Sequence, residues 1–150
     1  MGDKSDKIYT SPMEVVINLV GGKWKVQILY ALWYGPLRFS ELSRIIPNIT
    51  QRMLTNQLRE MEADGIVDRK VYEQVPPKVE YSISEYGNSL RPILLSMYRW
   101  GYYHIKKKDL AYQPIPKPLR HRSEYVEDIL LSQAMDEVPK DKPATEDKQP

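Results

Sequence analysis

The sequence predicts an α+β domain, and three features carry that expectation. Apolar residues recur at helical spacing from Pro12 to Gly65, two strand-like segments follow on either side of Pro76-Pro77, and helical spacing returns after Ser84. Helices in series, then a hairpin, then a closing helix place the chain outside the alternating α/β class. With 150 residues there is room for one core and a tail. The expected division is a flexible N-terminus (1–10), a folded domain (11–108) and a Pro-rich, partly disordered tail (109–150).

The first helix should open at "SPME" (11–14). Ser11 is placed as N-cap, Pro12 at the first helical position and Glu14 three residues on, the spacing of a capping box. Met13, Val16, Ile17 and Val20 would share one side, and Gly21-Gly22 would end the helix. In "KWKVQILYALWYG" (23–35), Trp24, Ile28, Leu29 and Leu32 recur at helical spacing, with Gly35 as the expected C-cap. Being apolar over more than one face, this helix should be the central one.

"PLRF" (36–39) reads as a short strand or extended connector. "SELSRIIP" (40–47) reads as a short helix capped by Ser40 and ended by Pro47. The next helix starts almost at once, capped by Thr50 and stopped by Gly65. Two helices joined so tightly form a helix-turn-helix. Residues 66–75 and 78–84 are rich in β-branched and aromatic side chains and form the expected hairpin, with a stiff Pro76-Pro77 tip. A long helix is expected over about 85–106, capped by Ser84, with Pro92 inside it either bending the helix or marking its entry. Beyond it the pattern fades, although "SEYVEDILLSQAM" (123–135) keeps helical spacing.

Composition removes whole classes of function. No cysteine is present, so disulfides, thiolate metal sites and cysteine nucleophiles are excluded for this chain. His104 and His121 are the only histidines, which argues against a metal site. No apolar run reaches the ~18 residues of a membrane span, so the protein is expected to be soluble and cytoplasmic. Residues 1–112 hold 16 Lys and Arg against 12 Asp and Glu, a mildly basic body that permits a polyanionic partner. Asp64 with Asp68, and Glu60 with Glu62, lack a nearby histidine or glycine-rich loop, and no cofactor fingerprint occurs. An enzyme is not expected.

The informative stretch is "NITQRMLTNQLREMEADGIV" (48–67). At ~100° per residue, Leu54, Leu58 and Met61 form one narrow buried stripe. Arg52, Thr55, Asn56 and Arg59 fall opposite, with Gln51 at the helix start. Arg can bond guanine bidentately, Asn can bond adenine, and Thr can meet a thymine methyl, so this face has the chemistry of a base reader. The competing reading is a solvated face, with Arg59 paired to Glu62 three residues on. Context favours the first reading, because a hairpin carrying Arg69, Lys70 and Lys78 follows directly. That order is the winged-helix layout, whose second helix enters the major groove while the hairpin lies along phosphates. Arg38 and Ser40, at the entrance to the motif, and Pro77 with Lys78, at the wing tip, are candidate backbone contacts.

"GGKWKVQILYAL", "GPLRFSEL", "ITQRMLTNQLREMEADGIVDRKVY" and "VPPKVEYSISEYGNSLRPIL" together resemble the successive signature segments of the HxlR-type winged-helix transcriptional regulators of bacteria. The resemblance spans roughly residues 11–101. It implies a homodimer on double-stranded DNA at a pseudo-palindromic promoter site, joined through the first and last helices of the domain. On this sequence those helices offer Met13, Val16 and Ile17, and Leu94, Met97, Tyr98, Trp100, Tyr102 and Ile105. The density of aromatics in "MYRWGYYHI" (97–105) points the same way, since they cannot all face one small core. Several members of the family sense oxidants through a cysteine just before the first helix, and Ser11 stands at that position here. Cysteine-based sensing is therefore not expected.

Two other functions remain open at this level. One is a winged-helix module that binds a protein partner. The other is a regulator whose dimer pocket, lined by aromatics such as Trp24, Tyr30, Trp33 and Tyr98, captures a small-molecule effector.

Overall fold

The computed structural model describes residues 6–116. They divide into two compact units, 6–90 with 114–116, and 91–113. In the first, α1 (Pro12–Val20), α2 (Lys23–Leu32), β1 (Leu37–Arg38), α3 (Phe39–Ile45) and α4 (Gln51–Ala63) precede the hairpin β2 (Val67–Tyr72) and β3 (Lys78–Ile83), and the short α5 (Glu85–Asn88) closes it. The helix expected over 123–135 lies outside the described residues.

The core forms where the apolar stripes of the helices meet the sheet. Ile28, Leu29 and Leu32 of α2, Leu42 of α3, and Leu54, Leu58 and Met61 of α4 are all buried, as are Leu37 and Val67 from the strands. The α2 helix supplies several of these residues, in keeping with its expected central place. The sheet is antiparallel in the order β1-β3-β2, paired from Val67 with Ile83 to Tyr72 with Lys78, and Leu37 with Tyr81 on the other edge. "PLRF" therefore does contribute a strand, two residues long.

The caps differ from the expected ones in detail. The Ser11 hydroxyl accepts from Met13 N–H, but Glu14 reaches past the N-cap to Thr10, whose N–H and hydroxyl both donate to its Oε2 at 3.0 Å. The backbone N–H of Thr10, then its hydroxyl, hold the Glu14 carboxyl below the usual range. α2 ends at Leu32 rather than at Gly35. Ser40 does not cap α3. The helix begins one residue earlier at Phe39, and the Glu41 carboxylate accepts from the Arg38 N–H at 2.7 Å, leaving Ser40 inside the first turn.

The long helix expected over 85–106 is two helices. Ser84 caps only α5, its hydroxyl accepting from Gly87 N–H at 2.8 Å, and α6 starts afresh at Arg91. Proline explains the break: Pro92 has no N–H to donate to Asn88 C=O, and its ring would press on that carbonyl. At the start of α6 the missing donor costs nothing. Gly87 faces Ile66, so a Cβ there would run into the Ile66 carbonyl.

The second unit carries α6 (Arg91–Lys108), with Lys106, Lys107 and Lys108 in the last turn, where cations suit the helix dipole. Leu110 N–H closes the helix on Ile105 C=O at 3.0 Å. Tyr112 then returns to the helix, its ring edge-on to Tyr102 and its hydroxyl 3.3 Å from that of Tyr98.

One residue sets the turn between α3 and α4. Asn48 has φ of 64°, the left-handed region that asparagine tolerates better than other side chains. Asn48→Val is expected to lower unfolding stability by about 1–2 kcal/mol, whereas Asn48→Gly should be nearly neutral. Denaturant midpoints at unchanged m-value test this, and equal losses in both variants would contradict it.

Candidate nucleic-acid interface

The candidate interface is built on α4, which is fixed at both ends. At its start the Thr50 hydroxyl accepts from Met53 N–H at 3.1 Å. At its end Gly65, with φ of 75°, completes a Schellman closure: Gly65 N–H bonds Glu62 C=O and Ile66 N–H bonds Met61 C=O, both at 3.0 Å. Between these caps, the buried Leu54, Leu58 and Met61 hold one side against the core. Gln51, Arg52, Asn56 and Arg59 are exposed on the helix, and Thr55 is half-buried beside them. The expected base-reading set thus shares one helix, with Thr55 at the margin of its solvent side.

A polar strut also ties α4 to α2. Lys25 Nζ lies 2.9 Å from Glu60 Oε2, with the lysine side chain 11% exposed and the glutamate 56%. Sequence reasoning set Glu60 aside as one of an idle carboxylate pair. The signal was present in α2, where Lys25 stands three, four and seven residues before the buried Ile28, Leu29 and Leu32 and therefore on their stripe. Because the lysine is the buried partner, the two deletions should not be equal. Glu60→Ala strands an ammonium in the interior, while Lys25→Met leaves a carboxylate that water can reach. Glu60→Ala is expected to cost about 1 kcal/mol more in unfolding free energy, and the reverse order in a denaturant series would contradict the arrangement.

The wing brings its basic residues to different faces. Pairing sets Arg69 opposite Tyr81 and Lys70 opposite Glu80, so the two neighbours point to opposite sides of the hairpin. On the Lys70 side, β1 places Arg38 across from Glu80 on its other edge. Arg38, Glu80 and Lys70 therefore form one row across the sheet. Lys78 Nζ lies 2.9 Å from Glu80 Oε1, and Tyr72 donates its hydroxyl to Glu80 Oε2 at 3.2 Å. Lys70 and Lys78 each carry their ammonium 4.7 Å from the Tyr72 ring centre. Pro77 is exposed at the tip, next to Lys78. Ser40 is exposed near Arg38, but the acid Glu41 already occupies the backbone donor at that helix start.

The residues expected at a dimer contact sit on both units. On α1, Met13 and Ile17 are 73% and 63% exposed, and Val16 is half-buried. On α6, Met97 and Trp100 are exposed, while Leu94, Tyr98, Tyr102 and Ile105 are half-buried. Trp100 stacks on His104 at 5.2 Å. Trp24 is half-buried, with the Lys23 ammonium 4.7 Å from its ring centre. Among the described residues no cluster of His, Asp and Glu could hold a metal ion, and no helix is long and apolar enough to cross a membrane.

Residues 19–109 match the family described as HxlR-like helix-turn-helix. In Bacillus subtilis (strain 168), "Uncharacterized HTH-type transcriptional regulator YkvN" is 55% identical over 102 residues, 68% of this chain and 86% of that one. "Uncharacterized HTH-type transcriptional regulator YtcD" from the same organism is 55% identical over 101 residues, 67% and 80% of the two chains. Among solved structures, "Redoxregulator HypR in its reduced form" superposes with a TM-score of 0.63 at 55% identity, covering 66% of this chain and 98% of that one.

Proposed function

This chain belongs to the HxlR-like helix-turn-helix family of transcriptional regulators, and from that membership we propose that it binds promoter DNA as a homodimer. The carrying observation is the exposed row of Arg52, Asn56 and Arg59 on a helix that is capped at both ends and anchored by its opposite side. In this reading α4 enters the major groove. Gln51, Arg52, Thr55, Asn56 and Arg59 meet base edges there, with Arg for guanine and Asn for adenine. Arg38, Ser40, Arg69, Lys70 and Pro77 meet the sugar-phosphate backbone and fix the register, whereas Lys78 beside the wing tip is already paired with Glu80.

The exposed apolar residues of α1 and those of α6 supply the self-contact. A two-fold dimer presents two α4 helices to two half-sites, which gives the DNA site its pseudo-palindromic form. The setting is the cytoplasm, where the promoter is. With no cysteine among the 150 residues, thiol oxidation is not available as the signal.

Fluorescence anisotropy on the DNA upstream of the protein's own gene, against random duplex at two salt concentrations, tests the reading. Tight, strongly salt-dependent binding with a clear preference for the upstream DNA is expected. Equal weak affinity for both duplexes would overturn it.

A further inference from the structure

Lys78 is the basic residue nearest the wing tip, yet its charge is already engaged. Its ammonium is 2.9 Å from a carboxylate whose side chain is only 9% exposed, while the lysine side chain itself is 24% exposed. The same carboxylate receives the Tyr72 hydroxyl. The Tyr72 ring in turn lies beside the ammonium groups of both Lys70 and Lys78. A charge-assisted bond to a shielded carboxylate is stronger than an exposed surface pair. In the free protein, therefore, the wing does not offer Lys78 to a polyanion as an open charge.

We propose that Glu80 is a positioning residue that withholds Lys78 from DNA phosphate and so sets the wing's sequence-independent affinity. The inference rests on the DNA-binding reading above. A phosphate that takes the Lys78 ammonium must displace the Glu80 carboxylate, an exchange of one anion for another. Lys70, exposed and in register with Glu80 on the outer strand, remains the wing's open cation on that face. Binding then releases fewer counterions than the number of basic wing residues suggests, because each phosphate neutralised by an unpaired cation contributes about 0.9 to the salt slope. The interaction joins residues of the hairpin alone and none of α4, so base reading by α4 does not depend on it.

The test uses the full chain and a random-sequence duplex, with affinity followed by anisotropy from roughly 50 to 200 mM salt. Glu80→Gln keeps the shape and can still accept from Tyr72 but frees the Lys78 charge. It is expected to bind several-fold more tightly at low salt, with a salt slope steeper by about one unit. Lys78→Gln alone should leave the slope nearly unchanged, and the double variant should return to the wild-type slope. A Glu80→Gln slope equal to or shallower than wild type would overturn the proposal. So would a Lys78→Gln variant that by itself loses a full unit. Circular dichroism melts check that the hairpin is intact, and if Glu80→Gln fails to fold, the Lys78→Gln slope decides the matter. A wild-type protein without salt-dependent duplex binding would remove the DNA reading and this inference with it. A normal wild-type slope with no response to Glu80→Gln would remove the inference alone.

Discussion

Arg52→Ala is expected to weaken binding to the cognate site by about 1–3 kcal/mol, roughly five- to 150-fold, while leaving the protein's melting temperature unchanged. Both halves follow from where Arg52 sits. It is exposed in the first turn of α4, and the buried stripe of Leu54, Leu58 and Met61 is on the other side. No packing is lost with it. A guanidinium in that position can make two parallel hydrogen bonds to guanine O6 and N7, and a wrong base leaves those donors unpaired. The loss should therefore be concentrated on cognate DNA, with the base preference relaxed at one position in each half-site. Competition anisotropy with cognate duplex, single-base variants and random duplex measures it. If cognate and random affinity fell by the same factor, Arg52 would be a backbone contact and the assignment of roles along α4 would be wrong.

Local chemistry made much of α4 readable in advance. A threonine before the helix, a glycine after it and an apolar stripe of three residues are short-range signals, and each does what its chemistry dictates. The winged-helix order was legible for the same reason. What escaped depends on pairing between distant residues. Lys25 and Glu60 meet only because α2 and α4 cross, and Glu80 gathers Lys78 and Tyr72 only because the hairpin register brings them together. The row from Arg38 through Glu80 to Lys70 requires β1 to join β3 rather than β2, which no local spacing encodes. The break before α6 stays undecided in the sequence for a different reason. Pro92 was recognised, but a proline can bend a helix or start one, and the capped turn of Ser84 against Gly87 decides between them.

The complementary variant, Leu58→Ala, is expected to lower unfolding stability by about 2–5 kcal/mol. Leu58 is 1% exposed, midway along the stripe that fixes α4. Truncation removes buried apolar area, and the cavity left behind adds to the loss because neighbouring helices and strands cannot fully collapse into it. Against a typical total of about 5–15 kcal/mol, this is a large fraction of what keeps the domain folded. The deficit should appear as a lower denaturant midpoint at unchanged m-value. Its effect on DNA binding should be indirect. Under conditions where the variant is still folded, base preference should match wild type, and saturating cognate duplex should raise the melting temperature by mass action. Arg52→Ala and Leu58→Ala would then separate the two sides of one helix, the first changing selectivity without stability and the second changing stability without selectivity. A Leu58→Ala variant that lost less than about 1 kcal/mol would mean that the stripe is not the anchor. The orientation of Arg52, Asn56 and Arg59 toward a groove would then need another physical support.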